Sequence, residues 1–508
     1  MLRTIQPLIT RNLLRCQSTT ASRSASVLPS QSSSSSAFSP PPTPVTSNPP
    51  THKPQPFIPR LHDPTLQLES ISTTPHDPLR STTLHFLDPT FSSLRSLSIP
   101  NLWLRDSSIH PSHVHPSSNQ KLFRTTDVPI EGKLIGYGVH EIPEKGQCLV
   151  TEWSTPLRTK GMDQKCVKLS VVPLELLSGM LQGGKEQDKV LGNLPESRVW
   201  DKQQLEKTLV KMDYREYMKD ENKLFKVLDG LVKDGIVFLT NVPTDVKEGH
   251  ETELKKLVER IGSLRKTWYG DLWDVKAEEG SRNIAYTNLD LGLHMDLTHF
   301  DHPPRYQFLH SLQNHQISGG SSYFVDSYAL AHHLHSTQPS YFQTLCTEPV
   351  HFEYRNSPHW TRFSRPTFEL IKNSSHTLKA VNYSPPFQGN FELERMNRKG
   401  LNVESHDTEK LMELHEALGA FSELCDDKEG KWRFQHQLEP GECVVFDNRR
   451  VLHARTAFEF TEGGKVGEER GRWLKGAYMD GDEVWSRWRT EEEKRRKKAK
   501  SRGRTLFN

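Results

Sequence analysis

The chain has 508 residues, 34% of them hydrophobic, which is enough for two or three domains, and no apolar run approaches the roughly 20 residues that a bilayer-crossing helix needs. Its formal charge of +3 conceals an acidic body: residues 1–62 carry six positive charges and residues 494–508 eight more, which leaves about −11 between them and argues against a nucleic-acid footprint there. The six cysteines show no paired spacing, so a disulfide framework is not expected and a reducing compartment fits.

In chain order, Arg3, Arg11, Arg15 and Arg23 lie among Leu, Ile and hydroxyl residues, with no acid before Asp63. That composition predicts a mitochondrial transit peptide and a matrix location, with cytoplasmic residence the alternative. Ser, Thr and Pro dominate residues 18–56, which cannot bury enough apolar surface to offset chain entropy, so residues 1–62 read as presequence and linker. Residues 66–182 hold short strand-like runs between turn residues, such as Cys148-Leu149-Val150-Thr151 and Leu169-Ser170-Val171-Val172, and predict a small β-rich domain. A charged helical connector is predicted over 203–232, followed by a buried strand in Ile236-Val237-Phe238-Leu239. Further strands fit 306–312, 323–325, 378–383, 442–446 and 473–478, and helices fit 329–334 and 408–424. In the second helix Leu411, Leu414, Leu418 and Phe421 form a core stripe at helical spacing. A mainly β second domain over 205–490 is therefore expected, with residues 491–508 a basic tail that reads as a solvated helix end.

The chemistry concentrates in Leu291-Gly292-Leu293-His294-Met295-Asp296 and, far downstream, Phe446-Asp447-Asn448-Arg449-Arg450-Val451-Leu452-His453. On a strand, residues two apart share a face, so His294 and Asp296 could grip one ion while His453 reaches it from another strand. Two imidazoles and one carboxylate leave half an octahedron open, which suits non-haem Fe(II) oxygenases rather than structural zinc. Asp447 or Asn448 is placed to orient the metal histidine.

The order of these elements, with Asn101-Leu102-Trp103-Leu104-Arg105-Asp106 upstream, His302-Pro303-Pro304-Arg305 and Gly319-Gly320-Ser321-Ser322-Tyr323 between, and Leu474-Lys475-Gly476-Ala477-Tyr478 at the end, resembles the gamma-butyrobetaine and trimethyllysine dioxygenases among the TauD-like 2-oxoglutarate oxygenases. The resemblance spans residues 100–490 and implies a double-stranded β-helix, or jelly-roll, barrel with flanking helices behind the small domain. It makes Arg472 the anchor for the far carboxylate of 2-oxoglutarate, with Arg455 the rival, since a guanidinium fork suits bidentate carboxylate binding. It also makes Tyr269, Trp273, Tyr286 and Tyr478 a cage for a quaternary ammonium, which cannot donate a hydrogen bond and is recognised by ring faces. Asn283 and His302-Pro303-Pro304 lean toward gamma-butyrobetaine as substrate, whereas Asn382-Tyr383-Ser384-Pro385-Pro386 departs from the family pattern.

The family's small-domain zinc site is built on cysteines, and here Ser107 to His115 contains none. His110 and His113 with Cys166 are the remaining candidates for zinc, and loss of that metal is the favoured expectation. The implied activity is hydroxylation of gamma-butyrobetaine to carnitine with Fe(II), 2-oxoglutarate, O₂ and supporting ascorbate, releasing succinate and CO₂. A trimethyllysine or other TauD-like small-molecule dioxygenase is the rival, and a catalytically dead scaffold the non-enzyme alternative. A homodimer is left open.

Overall fold

The structure, a computed structural model, describes residues 3–4, 66–73, 80–88, 92–159, 166–246, 252–276, 291–315, 317–372, 374–391, 405–460 and 471–501. The chain divides into two compact units, Met1–Asn193 and Leu194–Asn508.

In the first unit, strands β1 (Gln67–Thr73), β2 (Ser81–Asp88) and β3 (Ser93–Pro100) form an antiparallel sheet in chain order, and β4 (Leu134–Ile142), β5 (Gly146–Arg158) and β6 (Cys166–Pro173) run antiparallel in a second. Strand β2 alternates strictly between buried and half-buried residues, so Leu84 and Phe86 point into one core with Ile99, Leu149, Trp153 and Val172. Helix α1 (Asn101–Asp106) carries Arg105, whose guanidinium donates to the carbonyls of Pro129 (3.0 Å) and Thr155 (2.7 Å). The predicted β-rich module is there, and the Trp-Leu-Arg-Asp element is a short helix that pins it.

The second unit is built on two sheets. The larger runs in the order β9 (Leu272–Lys276), β20 (Gly471–Met479), β11 (Tyr306–His315), β18 (Cys443–Asp447), β8 (Ile236–Thr240) and β7 (Val210–Asp213). The smaller runs β10 (Leu291–His294), β19 (Val451–Arg455), β12 (Ser322–Asp326) and β17 (Phe434–His436). Ile236, Phe238, Val444, Phe446 and Leu474 from the larger sheet meet Phe324, Phe434 and Val451 from the smaller in one interior. The alternate residues Val237, Leu239, Cys443 and Val445 face outward under helices α2 (Glu221–Lys233), α3 (Glu253–Glu259) and α7 (Gly481–Ser501). Likewise Tyr323, Val325, Leu452 and Ala454 face outward under α4 (Ser327–Thr337), α5 (Pro339–Thr347) and α6 (Ser405–Asp426). Strands covered on both faces read as continuous apolar runs, which is why β8 and β18 are legible in the sequence. Two facing sheets with helices outside form the jelly-roll oxygenase barrel.

Two expectations change. The 203–232 connector is not one helix: Asp213 accepts from the amides of Arg215 (2.8 Å) and Glu216 (3.2 Å) and starts a new helix, and β7 pairs parallel to β8 before it. Helix α7 also runs through the expected boundary at 491, because Trp488 and Glu491 are buried along it.

Candidate metal centre and the chamber around it

His294 and His453 are cross-strand partners of β10 and β19, and their rings meet at 4.3 Å between centroids. On β19 the outward residues are Leu452 and Ala454, so His453 and Arg455 point inward by alternation. Among the described residues, His294, Asp296 and His453 are the one group of three that brings ligand atoms together, all within 4.8 Å. One carboxylate oxygen, Asp296 Oδ1, lies 3.3 Å from His294 Nε2 and 3.9 Å from His453 Nε2. His294 Nδ1 sits 2.9 Å from the Gly292 carbonyl and donates to it, which leaves the Nε2 lone pair for a metal. Burial, with the neighbouring His294 second, lowers the His453 pKa to about 3, so this imidazole is neutral and able to ligate. Burial alone would raise the Asp296 carboxyl; its contacts with His294 and His453 and the hydrogen bond from the Tyr478 hydroxyl prevail and hold it well below the usual carboxylate range.

The route to this geometry differs from the strand-spacing argument. Strand β10 ends at His294, and Asp296 sits on the following turn, where Leu297 adopts a left-handed φ of 59°. The turn is held from outside: Met295 N–H donates to the Tyr383 carbonyl (2.9 Å), and the Asn448 amide takes the Asp296 N–H (2.8 Å) while donating to its carbonyl (3.0 Å). Asn448 therefore orients the acid rather than a histidine. Asp447 orients neither, being paired with Arg305 at 2.7 Å.

Arg472, Leu474, Gly476 and Tyr478 share the inner face of β20, as Leu474 in the interior cluster shows. Arg472 is 7% exposed, and among the described residues no carboxylate pairs with it. Burial, with the nearby Arg455 second, lowers its pKa to about 9. A buried guanidinium beside a second cation, with no carboxylate on Arg472 among the described residues, fits an anionic ligand, and a dicarboxylate supplies that charge. Arg472 is a strand residue of the interior, not a surface turn.

The expected aromatic residues divide. Trp273 and Tyr478 stack at 5.1 Å with 27° between planes. The indole lies over Gly476, where an added Cβ would come within 2.4 Å of it, so glycine is required opposite this ring. The Tyr478 hydroxyl donates to Asp296 Oδ2 at 2.7 Å. Tyr269 is half-buried beside Trp268 (5.8 Å) in the turn before β9. Asn283 and Tyr286 lie outside the described residues. Sequence reasoning missed a second aromatic group. Trp268 stacks on His359 (4.6 Å) and on Tyr354 (5.7 Å) and His299 (5.9 Å), with His299 Nδ1 held by Thr361 (2.7 Å). These rings occupy one another's faces, so the group braces the hairpin of β13 (Pro349–Asn356) and β14 (His359–Pro366). Only the repeated aromatics between His351 and Phe363 hint at it in sequence.

The zinc candidates are arranged differently. His110 and His113 lie 5.2 Å apart by ring centroids, His113 Nδ1 bonds Ser108 Oγ (2.9 Å), and His110 Nδ1 accepts from the Ser112 amide (3.1 Å). Cys166 is exposed at the start of β6 and joins no ligand group with them among the described residues.

Comparison with known proteins agrees with this geometry. The family model described as taurine catabolism dioxygenase TauD, TfdA family matches residues 198–478. The chain is similar to dioxygenase str8 of Strobilurus tenacellus (38% identical over 394 residues, 77% of this chain and 84% of the relative). It is also similar to the probable oxidoreductase AIM17 of Saccharomyces cerevisiae (28% over 446 residues, 82% and 89%) and to human gamma-butyrobetaine dioxygenase (31% over 301 residues, 58% and 69%). With the family model covering more than half of the chain, the protein belongs to the TauD/TfdA family and is a 2-oxoglutarate-dependent dioxygenase.

Proposed function

We propose that the protein hydroxylates gamma-butyrobetaine to carnitine, with Fe(II) held by His294, Asp296 and His453 and the far carboxylate of 2-oxoglutarate held by Arg472. The observation that carries this reading is the Trp273–Tyr478 stack, an aromatic wall one hydrogen bond from Asp296, where a held trimethylammonium group would direct the middle chain methylene of gamma-butyrobetaine toward the metal. The human relative named for that substrate supports it. Bound iron supplies O₂ activation, coupled to conversion of 2-oxoglutarate to succinate and CO₂. The chain's own residues do positioning: neutral imidazoles and one carboxylate present ligand atoms, Arg472 fixes the co-substrate, and the wall orients the substrate, with no general base required. Ascorbate as supporting reductant and a mitochondrial address from the arginine-rich residues 1–23 complete the proposal.

One observation favours a second reading, a different small organic substrate. The Asn382 amide is spent on the Pro366 carbonyl (2.8 Å), on Glu369 (3.0 Å) and on Arg449 (2.7 Å), so it is not available to a substrate carboxylate. The 38% identity to dioxygenase str8 points the same way.

Iron- and 2-oxoglutarate-dependent succinate release, measured with gamma-butyrobetaine, trimethyllysine and the neutral tert-butyl isostere of the first, separates the readings. Carnitine formation is expected; preference for trimethyllysine, or for neither ammonium acid, replaces the substrate assignment. Trp273→Leu is expected to weaken gamma-butyrobetaine by about 1–2 kcal/mol, roughly tenfold, and the isostere far less. Equal losses would mean that the ring only packs.

A further inference from the structure

We infer that Tyr478 is a positioning residue for the metal ligand Asp296, in addition to any part it takes in the chamber wall; the inference rests on the metal reading of the triad. The geometry assigns the two carboxylate oxygens different tasks. Oδ1 faces both imidazoles, at 3.3 and 3.9 Å from their Nε2 atoms, whereas Oδ2 takes the Tyr478 hydroxyl at 2.7 Å. The main chain of Asp296 is already fixed by the Asn448 amide, at 2.8 Å to its N–H and 3.0 Å to its carbonyl, so rotation of the carboxylate is the freedom that remains. Tyr478 removes it.

The hydroxyl is itself well placed to do so. Tyr478 is 4% exposed on the inner face of β20, and Trp273 stacks on its ring at 5.1 Å. Gly476 lets the indole lie flat there, since a Cβ would come within 2.4 Å of it. Glycine at 476, tryptophan at 273 and tyrosine at 478 thus form one device that ends on Oδ2. With Oδ2 occupied, Asp296 offers a single oxygen, and the protein fills three of the six positions of an octahedral ion. A carboxylate free to turn would offer both oxygens and take a fourth. The hydroxyl therefore preserves room for a chelating keto acid and O₂, and it orders the ligand before the metal arrives.

Titration of the full-length apoprotein with Co(II), followed by calorimetry and by the d–d absorption of the bound ion, tests this without turnover. Asp296→Ala reports whether the ion binds at the triad at all; unchanged binding in that variant overturns the metal reading rather than the role of Tyr478. Given triad binding, Tyr478→Phe keeps the ring and its stacking and removes the hydroxyl, while Tyr478→Leu removes both. The expected result is a dissociation constant raised roughly tenfold or more in both, as for other groups that orient metal ligands, with the same altered d–d spectrum. Wild-type affinity and spectrum in Tyr478→Phe overturn the inference, whether or not Tyr478→Leu is impaired, because the ring alone would then suffice.

Discussion

Among the described residues, each unit brings two imidazoles close together, the buried His113 with the half-buried His110 in the first and the buried His294 and His453 in the second, and only the second pair is equipped to hold a metal. His110 and His113 meet at 5.2 Å in the first unit, and His294 and His453 at 4.3 Å in the second. Burial comes first in lowering both the His113 and the His453 pKa to about 3, so both are neutral in the fold. The difference lies in the third neighbour. Beside His113 is the Arg105 cation, whereas Asp296 faces His294 and His453 with its charge held by the Tyr478 hydroxyl and its backbone held by Asn448. Proximity and burial of histidines are thus insufficient; an oriented anion makes the pair a candidate metal site.

The contrast breaks most visibly at the carboxylate. Asp296→Ala and His453→Ala are expected to reduce iron-dependent succinate production by more than the roughly 10–100-fold that outer-shell changes cost, with the fold retained. Near-normal turnover in either purified variant would remove the distinction between the pairs. At the co-substrate end, Arg472→Ala should weaken 2-oxoglutarate by about 1.5–3 kcal/mol, roughly tenfold to a hundredfold, and Arg455→Ala by less. Titration in the opposite order exchanges the two arginines.

Protons provide a subtler comparison. The folded pKa values of His113 and His453 lie below the unfolded value near 6.5, so as pH falls the unfolded chain takes up protons first. Stability is therefore full above about pH 6.5 and is lost as pH drops toward about 3, in both units of the apoprotein. Added Co(II) should protect the second unit from acid by binding its folded form, and leave the first unchanged. Hydrogen exchange resolved by segment reads both; equal protection would mean that His110 and His113 also take metal. The smallest expected effect, His113→Ala leaving the metal content of the purified protein unaltered, checks the same point.

Much of the second unit was legible because its strands are covered on both faces: Ile236 to Leu239 and Cys443 to Phe446 are unbroken apolar runs whatever their partners. The triad was legible because donor type and order suffice to nominate His294, Asp296 and His453. The local reasoning was incomplete, since strand alternation was to pair His294 with Asp296, yet β10 ends at His294. A turn borrowed from Asn448 and Tyr383 restores the approach. Sequence by itself determined the donors and the arginine-rich start, because these depend on side-chain chemistry and composition, while the roles of Arg472 and Tyr478 came from the family resemblance. Only the tertiary structure decided that Tyr478 ends on Asp296, that Asn382 is consumed by Arg449 and Glu369, and that Trp268 stacks against Tyr354 and His359. Each of those facts depends on which distant strand supplies the neighbouring atom, and hydrogen bonds and ring contacts reach only a few ångströms, so no pattern along the chain records them.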